Sequence, residues 1–298
     1  MLNRRNFFKG TGALTVGSFF TASCASQSEN PLFDISLAQW SLHKKLFAKE
    51  LDNLQFPEFT KKTFGINAVE YVNKFFKSSE KTYLRGLKQR CDDNGVQSLI
   101  IMCDGLGQLG DANDNKRKLA VEKHHTWIEA AKYLGCHSIR VNARSKGTYE
   151  EQMERAADGL ASLSQFAAQH NINVIVENHG GLSSDGDWLA NVMKKVAMPN
   201  CGTLPDFGNF KEYDRYKGVK KLMPYAKGVS AKSHDFDVHG FEINTDYPRI
   251  MKLVLDAGYR GHVGIEYEGK KIGEIEGIKM TRDLLIKLRT KLSSKYSA

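Results

Sequence analysis

Residues 173–181 read N-V-I-V-E-N-H-G-G. The first half is a short apolar run, rich in β-branched residues and bounded by polar ones, which is the pattern of a strand buried on both faces. It stops abruptly at Glu177, Asn178 and His179, followed by two glycines. A strand of this kind belongs to a parallel sheet covered by helices, so strands and helices are expected to alternate on either side of it.

They alternate eight times from residue 33 onward. Strand-like runs are I-S-L-A-Q-W (35–40), A-V-E-Y-V (68–72), Q-S-L-I-I-M (97–102) and S-I-R-V-N (138–142). They continue as N-V-I-V-E (173–177), C-G-T-L-P-D (201–206), G-V-S-A-K (228–232) and H-V-G-I-E (262–266). Helical periodicity fills the gaps. Residues 111–134 carry Leu119, Trp127, Ile128, Ala131 and Leu134, and residues 149–170 carry Met153, Ala156, Leu160, Leu163 and Phe166. Gly65, Gly95, Gly135, Gly258 and Gly261 stand where helices end or turns begin. Eight βα units in about 260 residues give an α/β fold, a single-domain (β/α)8 TIM barrel over residues 33–298. A doubly wound sheet is the alternative, but it usually carries a glycine-rich turn after its first strand, and W-S-L-H-K-K has none.

The N-terminal segment reads differently. R-R-N-F-F-K-G followed by the weakly apolar run 13–20 is the pattern of a twin-arginine export signal, assigned to residues 1–24. It ends in T-A-S-C, so Cys24 is a candidate lipidation site, with ordinary signal cleavage as the alternative, and residues 25–32 are a polar tether. The expectation is an exported protein, periplasmic or anchored as a lipoprotein. Three of the basic residues behind the net charge of +9 lie in this segment; the remaining excess is spread along the chain, with many of its lysines at helical spacing or helix ends. That distribution reads as solvated helix faces and argues against a nucleic-acid partner. Cys91, Cys103, Cys136 and Cys201 form no C-x-x-C pair and read as buried thiols.

In a barrel of this kind the active site lies at the carboxyl ends of the strands. There the chain offers Gln39, Trp40 and His43; Glu70; Cys103 and Asp104; Arg140 and Asn142; and then Glu177, Asn178 and His179. It goes on to Asp206 and Asn209; Ser230, Lys232 and His234; and Glu266 and Glu268. Glu177, Asp206 and Glu266 each follow an apolar run directly. Three carboxylates converging in a core repel one another and pay desolvation, which a divalent cation removes. Oxygen-rich ligation with at most one imidazole favours Mn, Mg or Co, with Zn as the alternative.

V-I-V-E-N-H-G-G, G-T-L-P-D-F-G-N-F, V-S-A-K-S-H-D-F and V-G-I-E-Y-E-G resemble the xylose-isomerase-like barrel superfamily of sugar phosphate isomerases and epimerases, over residues 33–290. The resemblance implies four strand-end ligands, Glu, Asp, His and Glu, around one divalent metal. Here they correspond to Glu177, Asp206, a strand-seven residue and Glu266. The usual H-x-K-D pattern falls on Ser230, Ala231, Lys232 and Ser233, so the imidazole is either absent or supplied by His234. Asn209 likewise stands where the family often has histidine.

Such a site suits proton abstraction next to a carbonyl through an enediolate. The resemblance gives Glu177 and Glu266 the role of acid–base pair. Lys232 and Arg140 orient hydroxyls or stabilise charge, or else pair with the acids. Trp40, His43, Asn142, His179 and Asn209 are candidate contacts to a small-molecule sugar or glycoside. Trp40, Trp127 and Phe207 form either a stacking wall or core, and His125 either assists or packs at a helix. The leading reading is a metal-dependent sugar isomerase or epimerase. Its rivals are a 3-keto-glycoside lyase or hydratase, a three-zinc endonuclease and a non-catalytic sugar-binding lipoprotein.

Overall fold

The structure, a computed structural model, describes residues 31–296. The export signal with Cys24, and most of the 25–32 tether, lie outside the described residues. Leu32, at the end of that tether, is buried in the core, so the barrel begins slightly earlier than expected.

Eight parallel strands form one curled sheet: β1 (Asp34–Ala38), β2 (Ala68–Val72), β3 (Gln97–Met102), β4 (Ser138–Val141), β5 (Asn173–Glu177), β6 (Cys201–Leu204), β7 (Val229–Ser233) and β8 (His262–Tyr267). The order is β6-β5-β4-β3-β2-β1-β8-β7. The remaining seam, β6 to β7, closes through the parallel bridges Thr203–Ala226 and Asp206–Ser230. Pro205 has no N–H for the ladder, and its carbonyl instead accepts from Ser230 N at 2.9 Å while Phe207 N donates to Ser230 O at 3.0 Å. This irregular seam sets Asp206 beside Ser230.

The helices are α1 (His43–Phe47), α2 (Phe56–Phe64), α3 (Lys81–Asn94), α4 (Asp114–Leu134), α5 (Tyr149–Gln169), α6 (Gly186–Val196), α7 (Arg215–Leu222), α8 (Tyr247–Asp256) and α9 (Glu274–Tyr296). Their starts are fixed locally. Thr148 and Glu151 form a reciprocal capping box at α5, and the side chains of Asn113, Asp185, Asp214 and Asp246 cap α4, α6, α7 and α8. Gly65, Gly95, Gly135 and Gly258 take the left-handed backbone expected of them, whereas Gly261 does not. Leu119, counted on the apolar stripe of α4, is exposed.

Period-two alternation divides each strand. Val174 and Val176 of β5 and Val263 and Ile265 of β8 belong to the large core under the helices. Inside the barrel two sets of side chains differ in chemistry. Ala38, Ala68, Val72, Leu99, Ile100, Met102, Ile175 and Leu204 make an apolar plug. Ser36, Glu70, Arg140, Glu177, Asp206, Ser230, Lys232 and Glu266 are buried polar or charged groups. Unpaired, such groups would cost far more than apolar packing returns, so their arrangement carries functional information.

Candidate active site

Glu177 closes β5, Asp206 follows β6, and Glu266 lies within β8. One carboxylate oxygen from each falls within 4.8 Å of the others, and all three residues are buried. Ser230 of β7 sits at the centre: its Oγ is 2.8 Å from Asp206 Oδ2 and 2.9 Å from Glu266 Oε2. His234 stands outside this group. The strand ends at Ser233, and the His234 backbone N–H donates to Glu242 Oε1, committing the chain to the following loop. The strand-seven side chain in contact with the acids is Ser230, and His234 is not among the clustered ligand atoms.

Two cations accompany the acids. Arg140 Nε lies 2.8 Å from Glu177 Oε2, and Arg140 Nη1 donates to Asp104 Oδ1 at 3.0 Å. The first contact is Coulombic only, because the Nε hydrogen is not aligned with the carboxylate; Glu177 Oε2 has no hydrogen-bond donor. Lys232 Nζ stands 3.3 Å from Glu266 Oε1, 3.0 Å from Glu268 Oε2 and 3.8 Å from Asp206 Oδ2. Asn209 donates from Nδ2 to Glu177 Oε1 at 2.8 Å and accepts from Lys232 at 3.3 Å. Asn178 ties the strands together, accepting from Asp206 N and donating to Asp206 O.

Charge is unevenly compensated. Burial, reinforced by Glu177 and Glu266 and opposed by Lys232, pushes the Asp206 carboxyl up to about 8. Burial likewise raises Glu70 to about 7 and raises Glu266 against the pull of Lys232. Burial works against charge on Lys232, but the carboxylates around it, Asp206 foremost, hold the ammonium well above its ordinary value. Lys232 thus places a positive charge among these carboxylates.

Above the cluster opens a cavity of about 510 Å³, lined among others by Trp40, Asp104, Asn142, His179, Glu266 and Glu268. Asn142 Nδ2 donates to Asp104 Oδ1, so its Oδ1 faces His179 Nδ1 at 3.1 Å. The same Nδ1 lies 3.4 Å from Arg144 Nη2, which can only donate, so these contacts do not fix the tautomer, and burial lowers the pKa of the ring. Trp40 Nε1 donates to Glu268 at 2.5 Å, and its ring stacks on His43. His43 itself bonds back to the Trp40 carbonyl, so it braces that wall without lining the cavity. Phe47 and Phe75 extend the wall outward from Trp40.

Other candidates fall elsewhere. Phe207 is core against Tyr247, Trp127 packs on Phe76, and His125 stacks on Phe166. Among the described residues, Cys91, Cys103, Cys136 and Cys201 are buried and unpaired. Asp104 and Glu268 contribute more to the site than their sequence context suggested. The available signal for Glu268 was period two, since it stands two residues beyond Glu266 on the same face.

The donor set fits a divalent cation on one observation in particular. A hydroxyl has one hydrogen, yet Ser230 Oγ is in contact with two carboxylates. Only one contact can be a hydrogen bond to an ionised acid; the other needs a proton or a cation between the oxygens.

Known proteins share this architecture. A family model described as xylose isomerase-like TIM barrel matches residues 60–288. Among solved structures, L-ribulose 3-epimerase superposes with a TM-score of 0.69 at 14% identity, covering 88% of this chain and 96% of that one. The IOLI protein with a binding zinc atom gives 0.68 at 15%, with coverages of 87% and 98%. A xylose isomerase-like TIM barrel protein from Mycobacterium smegmatis in complex with magnesium gives 0.65 at 15%, with 87% and 97%. At these identities the likeness is one of fold. The C-glycoside deglycosidase alpha subunit of Arthrobacter globiformis is 37% identical over 54 residues, 18% of this chain and 15% of that protein's length.

Proposed function

The chain belongs to the xylose isomerase-like TIM barrel family, and from that premise we propose that it is a metal-dependent sugar isomerase or epimerase that removes a proton next to a carbonyl. The observation that supports this most is the convergence of Glu177, Asp206 and Glu266 beneath a polar cavity. These three acids and Ser230 would hold one divalent cation, whose Lewis acidity polarises a carbonyl when bound.

The remaining work falls to the side chains. Glu266 is the one acid of the three that lines the cavity, and it takes the proton. Glu177 is fully buried beneath Arg140 and Asn209, which makes the two glutamates unequal in access. Lys232, held cationic beside Glu266, stabilises negative charge developing on the substrate oxygen. Asn142 and His179 bind and orient hydroxyls. Return of the proton to the former carbonyl carbon gives isomerisation; epimerisation needs a donor on the opposite face, the role that the family resemblance gives to Glu177.

The test is hydrogen exchange in D2O, followed by NMR over a panel of ketohexoses with Mn added. Wild type is expected to incorporate deuterium next to the carbonyl, and Glu266→Gln to slow it by about 10²–10⁴-fold. Exchange that survives Glu266→Gln unchanged, or its absence across the panel, would contradict the assignment.

A second reading uses the same proton abstraction for elimination from a 3-keto-glycoside. The 54-residue likeness to the deglycosidase subunit and the aromatic wall of Trp40, Phe47 and Phe75 favour it. Release of the aglycone without rearrangement of a free ketose would distinguish it.

A further inference from the structure

Within the reading of this centre as a cation site, we propose that Ser230 sets its metal preference, by making every protein donor an oxygen. The observations are positional. Ser230 Oγ lies between Asp206 Oδ2 and Glu266 Oε2, at 2.8 and 2.9 Å, and is itself buried. Its backbone is pinned on both sides of the β6–β7 seam, by Pro205 O and Phe207 N. A side chain so placed has no freedom to leave the cluster. Glu177 Oε2, fully buried and without a hydrogen-bond donor, keeps a lone pair available.

Among the described residues, no histidine or cysteine places a nitrogen or sulfur ligand atom with these oxygens. His179 is bonded through Nδ1 to Asn142 on the β4 side. The described cysteines, Cys91, Cys103, Cys136 and Cys201, are buried in the core under the helices.

Carboxylates and a hydroxyl are hard donors that suit Mg and Mn, whereas imidazole and thiolate strengthen Zn selectively. An all-oxygen centre therefore narrows the advantage that zinc holds at mixed nitrogen–oxygen sites. A single atom on β7 controls it, because that position is the only one of the four with a neutral, exchangeable donor.

The test measures binding alone. Chelator-treated full-length protein is titrated with Mg, Mn or Zn in a calorimeter, for wild type and for Ser230→Ala, Ser230→Cys and Ser230→His. The proposal expects one cation per chain and a Mn affinity about tenfold lower in Ser230→Ala. It expects the Zn-to-Mg affinity ratio to rise about tenfold or more in Ser230→Cys and Ser230→His. Cysteine is close to serine in size, so the cysteine variant carries the test if the histidine variant does not fold. An unchanged ratio in Ser230→Cys, an unchanged Mn affinity in Ser230→Ala, or no cation bound by wild type would each overturn it. No sugar enters the titration, so its failure is distinct from a failure of the turnover proposed above.

Discussion

Asp206 is the residue at which stability and function oppose each other. Its carboxyl is fully buried, has Lys232 no closer than 3.8 Å and is pushed up to about 8. A folded-state pKa above the unfolded one means that the folded protein binds more protons. Stability is then full below about pH 4 and falls as the pH rises through about 8. Glu70, raised to about 7, adds to the same trend. Asp206→Asn should flatten that dependence, stabilising the metal-free protein at pH 9 by roughly a few kcal/mol while abolishing cation binding. Urea denaturation at pH 5 and pH 9 measures both arms; an equal pH slope in variant and wild type would contradict the account. The sequence showed Asp206, Glu177 and Glu266 plainly, because a carboxylate directly after an apolar run has few structural uses. Ser230 and His234 were both legible as strand-seven candidates, but a sequence does not show which of the two side chains reaches the acids; the contacts of Ser230 Oγ do.

Among the elements, α5 has a role beyond covering β4 and β5. A Cβ built on Gly159 would collide with the carbonyl oxygen of Leu109, a backbone atom with nowhere to go. Through this contact α5 seats the loop that follows β3, whose Gly107 and Gln108 line the cavity. Gly159→Ala should therefore lower stability by about 1–3 kcal/mol and weaken sugar binding as well. A thermal shift near zero would remove this contact from the account. The eight strands were readable to within about two residues, because apolar runs are local signals, whereas only α4 and α5 were bounded in sequence and α4 starts three residues later than read. The β6–β7 seam was not: the sixth run was read through Pro205 to Asp206, whereas β6 ends at Leu204, and which bridges replace the ladder depends on the neighbouring strand.

At the scale of the whole molecule, the barrel interior combines an apolar plug contributed by β1, β2, β3, β5 and β6 with buried polar and charged groups from β1, β2 and β4 through β8. Strand count and alternation made the closed barrel legible, because eight helix-covered parallel strands have few other solutions. The sequence did not reveal how the buried charge is balanced. Glu177, Asp206 and Glu266 face Arg140 and Lys232, and the serine hydroxyl between two of the acids supplies a single hydrogen. The central claim is that a divalent cation completes this set. The most direct measurement is an anomalous difference map from crystals equilibrated with Mn. The account predicts one peak about 2.0–2.4 Å from oxygens of Glu177, Asp206, Ser230 and Glu266. It is contradicted if saturating Mn leaves that position empty, with Lys232 keeping its contacts to the three carboxylates Asp206, Glu266 and Glu268.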